Sequence, residues 1–431
     1  MSTAPTESPP FLQQIRALTR PFWIANVMEM IERFAYYGVR MVIPIYIAQA
    51  DEIGGLHFTS ADKGFIFMWW AAVQSLLPVF TGGFADRYGY KLQIRIAIVL
   101  KIIGYLMMAT QREFWPFFMG CMFLAAGTAI FKPPVQGTFA RTLNDENSGV
   151  GWGIFYAVVN FGAFFGAPMA HFLHGISWPA VFYGCAAAVS LNFFWLLAYK
   201  EVDSGADKSQ NAWDVIVMTA RNILNIRLLA FILIMSFFWA GFTQLFDMMP
   251  NFITDWVDSS AIAVHVPDFM LSTDTSRGQQ ITQEWLININ PLMIIFLVIP
   301  ISWIVNRYMR RLTSITLGML IGGAGLYFAG SSMAIYTCVL GIMCFSIGEM
   351  LSSPKMQEYL AVIAPEGKTA LYMGYANIPT AIGWIYGAFL GGKLYGAFGD
   401  KAVLAQKYLM EQHGVLEANL PERKDPMAQL L

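Results

Sequence analysis

Glu29, Glu32, Arg33, Tyr36, Tyr37 and Arg40 recur at steps of three and four within the apolar segment that begins at Phe22. A helix through them carries one polar stripe on an otherwise apolar cylinder. A charge at mid-bilayer costs about 2.5 to 3.5 kcal/mol on insertion scales, so a stripe with two glutamates and an arginine does not face lipid. It faces a bundle interior or a watery cavity, where intramembrane charges mark substrate or proton paths. Arg33 keeps its charge and offers a planar fork, which suits a lasting partner for Glu29, Glu32 or a solute carboxylate. Lys132, in a separate apolar segment, is a point charge that can exchange partners. If it pairs with Glu29 or Glu32, a proton arriving on the acid opens the pair and frees the cation to grip a carboxylate. Tyr36, Tyr37 and Arg40 continue the stripe as cavity lining. Glu349, mid-segment in the second half of the chain, would attract an ammonium group. Asn160 and Asn290 each offer an amide donor and acceptor for a peptide-like bond.

The elements that position these residues are membrane helices. The 431 residues are 56% hydrophobic and only 13% charged, about half the charged share of a soluble domain. The net charge of −1 carries no signal toward nucleic acid. Apolar runs long enough to cross a bilayer, about 20 residues each, fall near 22–48, 64–84, 92–110, 114–133, 150–174, 179–199, 228–249, 285–306, 312–330, 333–352 and 370–396, eleven in all. With the N-terminus inside, Arg87, Lys91, Arg95, Arg141, Lys200, Arg227, Arg307, Arg310, Arg311 and Lys368 fall on the cytoplasmic side, as the positive-inside rule asks. The opposite loops hold few cations, chiefly Lys63, Arg112 and Arg277, and the 250–284 loop is acidic. A Ser/Thr/Pro tail and a short amphipathic lead at 11–20 precede the first span, which fits an uncleaved inner or plasma membrane protein.

Six spans in 1–199 form one bundle, and 228–396 forms a second. Between them lies a polar connector, 200–227, whose 211–227 portion reads as an amphipathic helix on the cytoplasmic face. Residues 397–431 read as a soluble tail. Two six-helix halves are the usual plan for such a chain, so a twelfth span is either missing from the sequence or absent, with the tail outside. Cys121, Cys185, Cys338 and Cys344 all lie in apolar segments and read as free buried thiols. No phosphate-binding loop, metal-ligand spacing or nucleophile–base pair is found, so neither an enzyme nor a bound cofactor is expected.

Gly82, Asp86, Arg87, Gly89 and Lys91 stand between the second and third spans as Gly-x-x-x-Asp-Arg-x-Gly-x-Lys. Glycines there allow a tight turn, Asp86 can cap the next helix, and Arg87 and Lys91 can anchor to the inner leaflet. This loop resembles the signature of the major facilitator superfamily. Five further blocks run in order: Glu29-x-x-Glu32-Arg33-Phe34-x-Tyr36-Tyr37-Gly38, then Gly127-Thr128 through Lys132-Pro133, then Phe155-Tyr156 through Asn160-x-Gly162. Trp285 with Asn290-Pro291-Leu292 and Gly348-Glu349 with Ser353-Pro354, ahead of Ala364-Pro365, complete the set. Together they resemble the proton-dependent oligopeptide transporter family.

The resemblance implies an all-α major facilitator fold and alternating access by two bundles. It implies proton coupling by Glu29, Glu32, Arg33 and Lys132, with Arg33 and Lys132 also holding the carboxyl end of a substrate and Glu349 its amine. The partners implied are a short peptide or small peptide-like molecule, protons and the bilayer, with the protein a monomer. This sequence departs from the family at three places. Thr243 stands where the seventh span's acid is expected, with Asp247 one turn on. The second span has Trp69, Trp70 and Gln74 but no tyrosine, and Ala376 replaces a tryptophan. Another small amphipathic metabolite or drug, imported or exported, is the alternative cargo, and a non-transporting sensor or scaffold the alternative class. Simpler structural roles compete residue by residue. The Glu32–Arg33 pair can lock helices, Asn160-x-Gly162 can be a packing seam, and Lys101 can snorkel or pair internally. Trp115, Trp178 and Trp256 read as interfacial belts, and His171 and His174 as solvated loop-end residues.

Overall fold

The polar stripe lies on a helix of 29 residues, Arg20–Ala48, which forms the first span. In the computed structural model the described residues are 11–144, 147–203, 226–274, 277–363, 377–420 and 422. Almost every apolar run is helical, because hydrocarbon offers backbone groups no water and only a closed internal ladder satisfies them. The spans that follow are Ser60–Tyr88, Tyr90–Thr110, Phe114–Thr142 and Ser148–His174. The sixth is broken at Leu191 into Trp178–Ser190 and Asn192–Ala198.

The seventh span, Ile226–Asp247, continues after Met248 as Met249–Trp256. The eighth is Gln283–Ile287 followed by Ile289–Tyr308, the ninth Arg311–Gly330, the tenth Ile335–Ile363 and the eleventh Asn377–Phe398. Among the described residues, seven helices are long and apolar enough to cross a membrane on composition alone. The first span is not one of these, since its stripe spoils the average. The tenth span runs eleven residues beyond the end expected at 352. The acidic 250–284 loop carries a short helix, Ser260–Ala263, and an antiparallel hairpin pairing Leu271–Asp274 with Gly278–Ile281. A further helix, Lys401–His413, occupies what reads as a soluble tail.

The loop signature is more helical than its glycines suggest. Gly82, Asp86 and Arg87 belong to the last turns of the second span, and the reversal is confined to Gly89, at φ 98°. The third span begins at the next residue, with Gly89 in the N-cap position. The side chains of Asp86 and Arg87, most of the 200–227 connector, Ala364-Pro365, Lys368 and Ala376 lie outside the described residues.

The halves meet through a restricted set of helices. The second span packs on the eleventh, the fifth on the eighth, and the first on both parts of the seventh. A Cβ on Gly64 would stand 2.8 Å from the Ala388 carbonyl oxygen and from the Gly392 Cα, so the second and eleventh spans touch backbone to backbone. Gly64 opens its helix and Gly392 closes its own. That contact therefore lies on the face carrying the 49–59 and 250–282 loops, called here the loop face. The fourth and tenth spans make no extensive contact across the halves among the described residues.

Candidate transport site

Glu29, Glu32 and Arg33 point inward, at 2%, 0% and 4% exposure. Arg33 Nε donates to Glu32 Oε2 and lies 3.4 Å from Glu29 Oε1. Glu32 Oε1 accepts from the ammonium of Lys101 in the third span, and both side chains are wholly buried. The ion pair expected between Lys132 and a glutamate is thus taken by Lys101, and snorkelling is excluded for that residue. The reason is packing: the third span runs tightly against the fourth, and a Cβ on Gly127 would sit 2.6 Å from Lys101 Cγ. Lys132 lies beside the cluster, where Glu29 and Arg33 act on it electrostatically. Among the described residues it has no ion pair within 4 Å.

The stripe continues toward the loop face. The Tyr36 hydroxyl donates to Gln74 Oε1 at 3.1 Å, and Trp70 Nε1 donates to the same oxygen at 2.9 Å. Gln74 and Trp70 thereby occupy the region where the resemblance expects a second-span tyrosine, while Trp69 is 45% exposed on the outer surface of the bundle. The Arg33 guanidinium lies 4.7 Å from the Tyr36 ring centre and 6.0 Å from that of Tyr37. Arg40 is ion-paired with Asp247 of the seventh span and reaches the Phe246 carbonyl at 3.5 Å. The acid absent at Thr243 is therefore supplied one turn later. A small cleft opens here, lined by Tyr36, Arg40 and Trp70 from one half and Thr243, Asp247 and Trp384 from the other.

On the far wall Glu349 is 9% exposed, and its Oε2 accepts from Asn290 Nδ2 at 2.8 Å. Asn290 also reaches Ser346 Oγ at 3.1 Å. Glu349 has no cation within 4 Å among the described residues. Asn160 turns back on its own helix, with Nδ2 donating to the Tyr156 carbonyl at 2.9 Å. Gly162 beside it lets the first and fifth spans close up, since a Cβ there would be 2.7 Å from the Met30 carbonyl oxygen. Two tryptophans were not singled out from the sequence. Trp239 and Trp384 have ring centres 6.3 Å apart, and their buried indole N–H groups find no acceptor among the described residues. The signal for Trp384 was faint: one indole in a span otherwise rich in glycine and small apolar residues.

Polar groups fasten the halves on the loop face. Lys63, fully buried, donates to the Asp247 carbonyl at 2.8 Å and to Asn251 Oδ1 at 2.6 Å. Asn251 donates to Gln49 Oε1 at 3.1 Å, and Gln49 donates to Asp255 Oδ1 at 2.6 Å. The Tyr395 hydroxyl donates to Asp255 Oδ2 at 2.9 Å, and Ser60 Oγ donates to Asp400 Oδ2 at 2.9 Å. Burial pushes the Asp255 carboxyl up to about 6, with the charges of Asp400 and Asp51 adding to the rise and the Gln49 and Tyr395 bonds opposing it. His171 lies 3.9 Å from Glu284 across the halves, and His174 meets Glu52 at 2.9 Å. Neither is a free loop end. Trp178 is 3% exposed and donates to Glu52 at 3.0 Å, so it is a core residue and not part of an interfacial belt.

On the opposite face Lys91 is not free to sit in a leaflet. Its ammonium donates to the Tyr199 carbonyl at 3.1 Å, and its backbone N–H meets the Glu201 carboxylate at 3.1 Å. It thereby ties the start of the third span to the end of the sixth.

Comparison with known proteins agrees with this architecture. Residues 25–388 match the family model described as Major Facilitator Superfamily. A multidrug resistance protein, MdtH, of Proteus mirabilis is 22% identical, covering 89% of this chain and 88% of that protein. The peptide transporter YePEPT of Yersinia enterocolitica is also 22% identical, over 84% of this chain and 86% of its own. Among solved structures, a POT family transporter in complex with 5-aminolevulinic acid superposes with a TM-score of 0.68 at 19% identity, covering 90% of this chain and 94% of that one. The POT family transporter PepTSo gives 0.67 at 17% identity, over 95% and 94%.

Proposed function

Because the chain belongs to the Major Facilitator Superfamily, we propose that it is a secondary transporter moving a small peptide or peptide-like solute together with protons. Access alternates as the bundles at 1–199 and 228–396 rock about the central site. The observation that carries this reading is the meeting of acids and bases from three helices of one half, Glu29, Glu32, Arg33, Lys101 and Lys132, opposite Glu349 and Asn290 of the other. A zwitterionic solute spans such a chamber, its carboxylate toward the cations and its amine toward Glu349.

Charge bias in the loops supports a cytoplasmic N-terminus in an inner or plasma membrane. The loop face is then external, and its hydrogen-bonded fastening corresponds to a form closed to the outside. A membrane potential adds about 2.3 kcal/mol per charge per 100 mV, enough for one or two protons to drive accumulation. The transporter acts as a monomer, since each chain holds both walls of the site. The named ligands and activities of its structural neighbours, 5-aminolevulinic acid and peptides, fit a chamber with one cationic and one anionic wall.

The test is uptake of labelled dialanine and 5-aminolevulinic acid into proteoliposomes, with and without an inward proton gradient. Gradient-driven accumulation of either supports the reading, and failure of both to exchange overturns it. A second reading, export of an amphipathic drug, draws on the indole pair Trp239–Trp384, on Trp70, and on the MdtH relatives. Proton-driven expulsion of an apolar cation from inverted vesicles, without dialanine exchange, would select it.

A further inference from the structure

We propose that Lys101 is a positioning residue that fixes Glu32 as a permanent anion, so that of the two glutamates Glu29 is the one that takes the coupling proton. This inference rests on the proton-coupled reading above and assigns roles within its site.

The two glutamates are held differently. Both oxygens of Glu32 are engaged, one by the Lys101 ammonium and one by Arg33 Nε, and both lysine and glutamate are entirely shielded from solvent. Protonating Glu32 would strand Lys101 in the protein interior, because Glu32 is its one charged partner within 4 Å among the described residues. The Lys101 stem runs along Gly127, where a Cβ would sit 2.6 Å from its Cγ, and this path delivers its ammonium to Glu32. An unpaired buried charge is far costlier than a paired one.

Glu29 is the reverse case. Its one ion pair among the described residues is the 3.4 Å approach to Arg33 Nε, longer than the 2.7–2.9 Å of a strong charged hydrogen bond. Should Glu29 take a proton, Arg33 keeps Glu32 and nothing is stranded.

The charged groups that face Glu29 are Arg33 on its own helix, Lys101 on the third span and Lys132 on the fourth. Glu349 of the tenth span faces Tyr37 and Tyr156. With every member ionised the cluster of Glu29, Glu32, Arg33, Lys101 and Lys132 holds one positive charge in excess. A proton moving from water onto a Glu29 carboxylate oxygen raises that excess to two, and Lys132 has no ion pair to absorb it. The site then draws an anion. When the solute's carboxylate leaves on the other side, the excess charge expels the proton to the water there.

The experiment compares wild type, Glu29→Gln, Lys101→Met, Lys101→Arg and the double variant Lys101→Met with Glu32→Gln. Proteoliposomes give the pH profile of dialanine accumulation relative to dialanine exchange. Infrared difference spectra between acid and neutral pH, recorded with every protein in an Asp255→Asn background so that the loop-face acid is silent, give the protonated carboxyl band without any solute. The proposal expects Glu29→Gln to lose both the pH profile and the band. It expects the double variant to keep the wild-type midpoint and band at whatever rate it runs. Lys101→Arg behaves like the double variant, and serves if the double does not fold. Lys101→Met alone removes one cation and leaves Glu32 with Arg33 as its remaining partner, so its profile shifts to higher pH. A Glu29→Gln protein that keeps the band, or a double variant that exchanges dialanine while its profile is flat, overturns the proposal. Absence of exchange by wild type removes the transport reading instead, and the band then decides Glu29 alone.

Discussion

The two walls of the chamber bring opposite chemistry to the same solute. The first half supplies two acids and three cations from three helices, Glu29, Glu32, Arg33, Lys101 and Lys132, most of them already neutralised by one another. The second half supplies Glu349, which accepts from the amide of Asn290, itself also bonded to Ser346, beside two indoles that find no acceptor among the described residues, while its other acid here, Asp247, is already paired with Arg40. A cluster with internal pairs can trade them as protons arrive; a lone acid beside amides has no ion pair to trade. The energetics of coupling therefore belong to the first wall, and selectivity for the far end of the solute to the second.

The difference breaks most sharply at Lys132. Lys132→Ala removes the one cation of the cluster without an ion pair, and proton-driven accumulation of dialanine in proteoliposomes should fall to background. The equivalent change on the second wall should not do this. Accumulation by the Lys132→Ala protein would put the coupling cation elsewhere.

Next in size is the bridge between the walls. Arg40 and Asp247 are ion-paired across the halves with the aspartate 2% exposed, so Asp247→Asn leaves a largely buried guanidinium unmatched, at a cost of about 3–5 kcal/mol. Thermal unfolding in detergent should show the loss. A cysteine at Thr243 should become reactive to a membrane-impermeant reagent from the loop face. Replacing both partners, Arg40→Met with Asp247→Leu, should recover most of the stability. If Asp247→Asn leaves both readouts unchanged, the bridge does not close that face.

How much of this was legible beforehand follows from which physical scale each feature lives on. Eleven spans, the inward stripe of the first helix and the stand-in of Asp247 for Thr243 are one-dimensional patterns, set by hydropathy and helical period. Partner choice is not. The cost of burying Lys132 says that it needs company, but which lysine reaches Glu32 depends on how closely the third and fourth helices approach at Gly127. Lys63 reads as one of the loop cations because it opens a span, yet it is fully buried beneath the seventh helix. Gln49, Asn251 and Tyr395 sit at span ends for which sequence predicts water, and only the contact between halves makes them a network. The Trp239–Trp384 pair is likewise a meeting of two helices that no local pattern announces.

A smaller effect tests the second wall directly. Glu349→Gln keeps an acceptor for Asn290 but removes the charge. Loss of a charge-assisted contact weakens binding by about tenfold to a hundredfold. The expected result is a higher KM for solutes with a free amine and an unchanged KM for N-acetylated ones, with the pH profile of accumulation in place. A shifted pH profile would instead make Glu349 part of the coupling cluster and erase the contrast between the walls.

The smallest predicted effect lies on the loop face, where Asp255 joins Gln49 of one half to Tyr395 of the other. Its carboxyl is raised by burial to about 6 in the folded protein, against 3.8 for an aspartate free in water. Between those values the folded chain holds a proton that the unfolded chain has released, so stability falls as pH rises through that window. The fastening is then firmest below about pH 4 and loosest above about pH 6 as far as this group is concerned, with a total on the order of 1–3 kcal/mol. Asp255→Asn mimics the neutral acid and should flatten this part of the pH dependence of thermal unfolding. Because Asp400 and Asp51 contribute to the rise, Asp400→Asn should move the same transition to lower pH without removing it. A wild-type unfolding midpoint that is level across this window, or one that rises with pH there and still does so in Asp255→Asn, would show that the loop-face fastening is held by Lys63 and Arg40 alone and is indifferent to external protons.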